Sequence, residues 1–221
     1  MALTMPDPIT PRGRQGISRE RVRPRRDTVR SAILQAAAQH FLEVGYRAAK
    51  IEAIAHMAGF TKGAIYSNFS SKQELVLALA AERIADYAGQ VEAELSRSSE
   101  PAQLLDALVE HMAGEVMEET AWHALVAELA AGAAADPAMR DLCRSIDARL
   151  RNVFTTMLTA SGLVDTEKQA ARAIRSLLAA VHGFALELTV DRKSVSRDDV
   201  TRTLRAIATT HVAPHVNASP K

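Results

Sequence analysis

At 221 residues the chain is long enough for one large or two modest domains with real cores. Apolar residues make up 48% but aromatics only 4%, so the core must rest on Ala, Leu, Val and Ile, of which Ala and Leu are the best helix formers. Net charge is +1 and Cys143 is the only cysteine, which excludes an internal disulfide and any multi-cysteine metal centre. No run of about 18 uncharged apolar residues offers a membrane span, and the start M-A-L-T-M-P-D-P lacks the basic-then-apolar order of a secretory signal. A cytoplasmic setting, with no membrane partner, is the expectation.

The charge is unevenly placed. Residues 1–26 hold seven arginines, among them Arg23, Arg25 and Arg26, against Asp7 and Glu20, a net +5. They also hold four of the eight prolines and no apolar periodicity, so this segment cannot bury enough surface to offset its ordering entropy. Two readings stand for it: a basic arm that meets a polyanion, or an inert solvated tail.

From Asp27 the pattern turns helical. Val29, Ile33, Ala37, Phe41 and Val44 recur at helical spacing, with Asp27 available as N-cap and Gly45 as the stop. A short helix follows over Ile51–Ala58, ended by Gly59, and Thr61 opens another over Lys62–Asn68. The run S-S-K-Q-E offers two overlapping capping boxes, Ser70 with Gln73 and Ser71 with Glu74, at the head of a long helix reaching about Leu95. Further helices are predicted from Pro101, from Thr120, from the Asp136–Pro137 cap, from the Thr166/Gln169 box and from the Ser196/Asp199 box to about Pro214. The expected fold class is therefore all-α, with about nine helices. Its organisation is a basic arm (1–26), a helix-turn-helix domain (27–75) and a larger helical domain (76–221).

The organising stretch is Ile51–Phe69, I-E-A-I-A-H-M-A-G-F-T-K-G-A-I-Y-S-N-F. A helix-turn-helix needs small residues where its helices cross, a glycine-like turn, and a second helix whose outer face suits the major groove. Ala55, Ala58 and Gly59 meet the first two needs, and Gly63 lets the second helix start close to DNA. Lys62, Ala64, Tyr66, Ser67 and Asn68 are left facing outward. Lysine reaches guanine edges or phosphate, and hydroxyls suit phosphates or bases. Generic helical hairpins use Gly and Ala too, so the spacing alone leaves DNA binding open.

The residue order goes further. A-I-L-Q-A-A-A-Q-H-F-L-E-V-G-Y followed by I-E-A-I-A-H-M-A-G-F-T-K-G-A-I-Y-S-N-F-S-S-K-Q-E-L closely resembles the N-terminal domain of TetR-family transcriptional regulators, over roughly residues 28–77. The resemblance implies an all-helical homodimer, each subunit pairing a three-helix DNA domain with a ligand-binding and dimerisation domain. It implies that Thr61, Lys62, Tyr66 and Lys72 touch phosphates or bases, and that Ala64 and Ser67 face the groove. Phe41, Ile54, Ala55, Ile65, Phe69 and Leu75 match packing positions. Two departures stand out: Ala49-Lys50 replaces the usual hydroxyl at the entrance to the second helix, and Ala53 replaces an acidic residue. The missing cap costs about 0.5–2 kcal/mol locally. Lys50 offers an ionic phosphate contact in its place, or is simply solvated.

In the larger domain Tyr87, Met112, Val116, Trp122, His123, Val126, Leu129, Phe154 and His182 are the candidate lining of an apolar effector cavity; ordinary core is the alternative for each. Trp122-His123 is the strongest pair. Leu177, Val181, Phe184, Leu188, Leu204 and Ile207, with the small Ala179, Ala180, Gly183 and Ala185, are expected to form a dimer interface as a four-helix bundle, or else an internal core. His211/His215 and His111/Glu115 have helical metal-ligand spacing. Pro214 breaks the first pair and neither has a third ligand nearby, so no metal is expected, nor any cofactor. No nucleophile–base order or phosphate loop supports catalysis.

The expected function is a ligand-responsive, sequence-specific DNA-binding regulator, a repressor released from a palindromic operator by a small molecule. The rival is a helical small-molecule-binding protein or enzyme with a vestigial DNA-like head.

Overall fold

The computed structural model describes residues 26–97 and 100–211. Among them are nine helices and no strand: α1 (Arg26–Ala48), α2 (Ile51–Met57), α3 (Lys62–Asn68), α4 (Lys72–Leu95), α5 (Pro101–Glu118), α6 (Thr120–Ala133), α7 (Pro137–Ala160), α8 (Glu167–Val190) and α9 (Arg197–His211). Arg23, Arg25, Pro214 and His215 lie outside the described residues.

Local chemistry sets most of these boundaries. At the end of α2 the Phe60 N–H donates to the Ala55 carbonyl at 2.9 Å and the Gly59 N–H to that of His56 at 3.1 Å, a Schellman closure with Gly59 at φ 73°. Thr61 caps α3 by accepting from the Ala64 N–H, and Asp136 caps α7 by accepting from Ala138 and Met139. The Thr166 and Ser196 hydroxyls likewise accept from the N–H groups of Gln169 and Asp199. Lys50 sits at the N-cap of α2 and makes no side-chain cap bond.

Three details differ from expectation. Asp27 is not the N-cap of α1; the helix begins at Arg26, and Asp27 lies in its first turn, where a carboxylate still favours the N-terminal dipole. Ser70 is bound by Glu74 rather than Gln73. The Glu74 carboxylate accepts from the Ser70 N–H at 2.7 Å and hydroxyl at 2.6 Å, while Ser71 caps the Glu74 N–H. Glu74 thus serves both serines, Ser70 through its carboxylate and Ser71 through its backbone N–H. Gly45 breaks the helical path at φ 80°, ψ 169°, as expected of a stop, but one more helical turn follows it to Ala48.

Two apolar clusters organise the chain. The first joins Phe41, Ile54, Ala55, Ile65, Phe69 and Leu75 of the head, then runs on through Val76 and Leu79 of α4 to Leu125 and Leu129 of α6 and Met139 and Leu142 of α7. No gap in packing separates head from body at residue 75. The second cluster fills the body between the C-terminal half of α4, α5 and α7–α9.

The expected interface residues turn inward. Leu177, Val181, Leu188 and Leu204 are buried in the second cluster, and Phe184 and Ile207 pack against it. Helical period explains the correction: α8 is apolar on two faces, with Leu177, Val181 and Leu188 on the inner one, while Leu204 and Ile207 belong to α9. The outer face carries Ala179, Gly183, Leu186 and Val190, the last two 60% and 84% exposed. Two apolar faces also make α8 long and apolar enough, by length and composition, to cross a membrane. It packs instead against α5, α6, α7 and α9, and Arg172, Arg175, His182 and Glu187 interrupt its outer side.

Candidate functional site

The reading head presents Lys50, Thr61, Lys62, Gly63, Tyr66 and Ser67 to solvent, with Ala64 half-buried among them. A Cβ on Gly63 would meet nothing closer than the Thr61 hydroxyl at 3.7 Å, so the glycine leaves the start of α3 open to a close approach. Lys62 is not idle. Its Nζ lies 2.5 Å from Oε1 of Glu52 on α2 and 5.9 Å from the Tyr66 ring centroid. The hydrogen bond from Lys62 lowers the Glu52 pKa and in turn raises that of Lys62. Both groups are exposed, so the pair is screened and readily exchanged for phosphate.

Two expected contacts are turned inward. Asn68 is half-buried, and its Nδ2 donates to the Ala64 carbonyl at 2.8 Å. Lys72 donates to the carbonyls of Ala49 at 2.6 Å and Arg47 at 3.4 Å, and sits 4.5 Å from the Tyr46 ring centroid; burial lowers its pKa. It closes the C-terminal end of α1.

The opposite side of that turn is held from the body. Gly45 leaves the N–H groups of Tyr46 and Arg47 without helical carbonyls, and Glu128 of α6 accepts both, at 2.7 and 2.8 Å. A carboxylate on orphaned N–H groups and an ammonium on terminal carbonyls match the backbone dipoles at each end. Arg30 adds a further brace: its guanidinium lies 4.3 Å from the Phe69 ring centroid and donates to the Asn68 carbonyl. Arg26, at the head of α1, is exposed.

A cavity of about 300 Å³ lies in the body between α4, α5, α6, α7 and α8. Tyr87, Met112, Trp122, His123, Val126, Leu129, Phe154 and His182 line it as expected; Val116 does not, being wholly buried in the core beside it. Leu177 and Val181, expected at a dimer interface, also line it. Its polar groups are few. Arg83 pairs with Glu115 at 2.7 Å and Glu119 at 3.0 Å and lies 5.8 Å from the Trp122 ring centroid. Asp147 takes the Arg151 Nε at 2.8 Å. Burial raises the Tyr87 pKa, and its ring packs against Phe154 and His111. His123 is 8% exposed and its Nε2 has no hydrogen-bond partner. Burial, reinforced by the nearby His182 and Arg83, lowers its pKa to about 4, so the ring is neutral.

Residues 33–79 match the family model of bacterial regulatory proteins of the tetR family, and residues 101–213 that of the BetI-type transcriptional repressor C-terminal domain. The chain belongs to the TetR family. It is a DNA-binding transcriptional regulator.

Among its relatives, the transcriptional activator FasR of Mycolicibacterium smegmatis is 38% identical over 85 residues, which span 38% of this chain and 39% of that protein. A TetR-family regulator from Mesorhizobium loti shares the fold with a TM-score of 0.64 at 21% identity, over 86% of this chain and 97% of that one. The regulator FadR of Bacillus subtilis, solved in complex with stearoyl-CoA, does so with a TM-score of 0.61 at 16% identity, over 83% and 97%.

Glu128, Glu52 and Arg30 carry no motif signal in the sequence. Only Arg83 and Glu115 left a trace, both lying among apolar positions of their helices. Glu128 is 82 residues from Tyr46, and nothing in local sequence ties the two together.

Proposed function

We propose that the protein is a homodimeric repressor, resident in the cytoplasm, whose two α3 helices read a pseudo-palindromic operator and which an elongated apolar molecule releases. Half-sites about 34–36 Å apart, or a multiple of that, suit two such heads. The observation that carries this reading is physical continuity: α4 and α6 line the cavity, and the same two helices hold the reading head, through Lys72 at the start of α4 and Glu128 on α6. A ligand that shifts either helix shifts the turn at 45–49 and with it α2 and α3. Coupling of this kind is typically worth about 1–3 kcal/mol. Motion of α4 alone, the simplest switch, is joined here by a second route through α6.

The BetI-type match of the body supports repression. The stearoyl-CoA held by FadR supports an acyl-chain effector in a cavity whose walls are mainly apolar. The exposed Leu186 and Val190 beside Ala179 and Gly183 support a partner copy against α8. Small residues permit close helix approach, and two copies related by a two-fold axis would cover the stripe. The arginines of residues 1–26 support extra phosphate contacts, each steepening the salt dependence by roughly 0.9 log units per log unit of salt.

Selection of bound duplexes from a random pool tests the reading directly. A defined palindrome is expected; recovery of no consensus would leave a small-molecule-binding protein or enzyme with a vestigial head.

A further inference from the structure

Among the described residues that line the effector cavity, one fully buried side-chain polar atom has no hydrogen-bond partner. His123 is more than nine-tenths buried, and its Nε2 has no hydrogen-bond partner. A buried ring nitrogen left without a partner is unfavourable. Its polar neighbours do not serve it. Arg83 is already bound by Glu115 and Glu119, and Asp147 by Arg151; His182 stands at the rim, largely exposed.

The same pairings decide what charge the cavity accepts. An incoming carboxylate would find no unpaired arginine or lysine among the described residues of the lining, since Arg83 carries two carboxylates of its own, and it would share the cavity with Glu115 and Asp147. An incoming ammonium would find Asp147 held by Arg151 and Glu115 by Arg83, the excess negative charge of that cluster resting on Glu119, which lies outside the lining and is open to solvent. The Trp122 face that could have held the ammonium has Arg83 nearby instead. Burying an unpaired charge of either sign is heavily penalised, whereas an uncharged polar group needs only one good partner. A neutral imidazole carries one donor and one acceptor, so a hydroxyl, which can play either part, fits whichever tautomer is present.

From this geometry we infer that the effector is an uncharged amphiphile, an aliphatic body along the apolar walls with a hydroxyl or carbonyl group hydrogen-bonded to Nε2 of His123. The inference rests on the reading of this cavity as the effector site. An acyl chain would satisfy it through a neutral ester-type carbonyl, with any charged portion left outside.

Three twelve-carbon probes separate the chemistry: dodecan-1-ol, dodecanoate and dodecyltrimethylammonium, each titrated into the full-length protein at pH 7.5 below its micelle concentration. Binding is read by calorimetry and by the fluorescence of Trp122, the only tryptophan, which lines the cavity. The alcohol is expected to bind about tenfold or more tightly than either ion. His123→Phe should remove most of that preference by weakening the alcohol, and His123→Gln, which keeps a hydrogen-bonding group, should retain part of it. Equal or tighter binding of either ion would overturn the inference while leaving the cavity as the effector site. Unchanged alcohol affinity in a folded His123→Phe variant would do the same. Failure of all three probes to bind the wild-type protein would overturn the effector-site reading and this inference with it.

Discussion

The carboxylate of Glu128 accepts the backbone N–H of Tyr46 at 2.7 Å, across 82 residues of sequence, and joins the cavity-lining helix α6 to the end of α1. Its second oxygen takes the Arg47 N–H at 2.8 Å. The contact exists because Gly45 opens the helix there, and any side chain would be strained: a Cβ at 45 would lie 2.5 Å from Oε2 of Glu128, displacing it, in a backbone conformation that side chains disfavour.

Removing the clamp should uncouple the two domains. Glu128→Ala is expected to leave effector affinity within a few-fold of wild type while erasing about 1–3 kcal/mol of effector-induced change in operator affinity. Paired titrations of operator, with and without effector, measure this. Full retention of the effector response would assign the coupling to α4 alone. Gly45→Ala should cost about 1–3 kcal/mol of stability through strain and the collision with Glu128, visible in thermal melts.

Lys62 and Glu52 form an exposed pair that DNA must break or bypass. Lys62→Ala should weaken operator binding by roughly 1–3 kcal/mol if its ammonium meets a base edge. Glu52→Gln should act in the opposite direction, freeing Lys62 and removing a negative charge close to the phosphates. Gel-shift titrations at several salt concentrations check both. Lys62→Ala with unaltered affinity would exclude the lysine from the interface.

Leu186→Glu or Val190→Glu should give folded monomers, because both side chains stand on the outer face of α8. Val181→Glu should instead destabilise the subunit itself, by several kcal/mol, since it places a charge in the core. Sedimentation velocity with a melting curve for each variant separates the outcomes. A dimer that survives both outer substitutions places the two-fold axis elsewhere.

Acid should weaken the fold through His123. Its folded pKa is about 4, below the ordinary 6.5, so between those values the unfolded chain binds a proton that the folded chain refuses. Stability from this group is whole above pH 6.5 and falls as pH drops toward 4, by up to about 3 kcal/mol. Denaturant titrations across that window should show wild type losing stability relative to His123→Phe as pH falls. Parallel curves would show that His123 titrates normally.

The local record in the sequence was enough for the all-α class, the helix-turn-helix and most helix ends, because caps, glycine stops and apolar periods act over three to seven residues. Gly59, Thr61, Asp136 and the Thr166 and Ser196 boxes all do locally what their types predict. What spacing could not supply was the facing of a helix apolar on two sides, or the partner of a charge. Leu177 and Val181 share α8 with Leu186 and Val190, and only the packing of α5, α6, α7 and α9 assigns the first pair to the interior. Lys72 has the residue type of a phosphate contact, yet the carbonyls ending α1 claim it. Glu128 and Gly45 carry no shared local signal; their meeting depends on α6 docking against α1, a long-range event set by the apolar cluster that includes Phe41, Leu125 and Leu129. The sequence by itself therefore determined that this protein carries a helix-turn-helix head for binding DNA. Only the tertiary structure decided which side chains remain free to do so and how the cavity is tied to them, because both follow from contacts between segments distant in the chain.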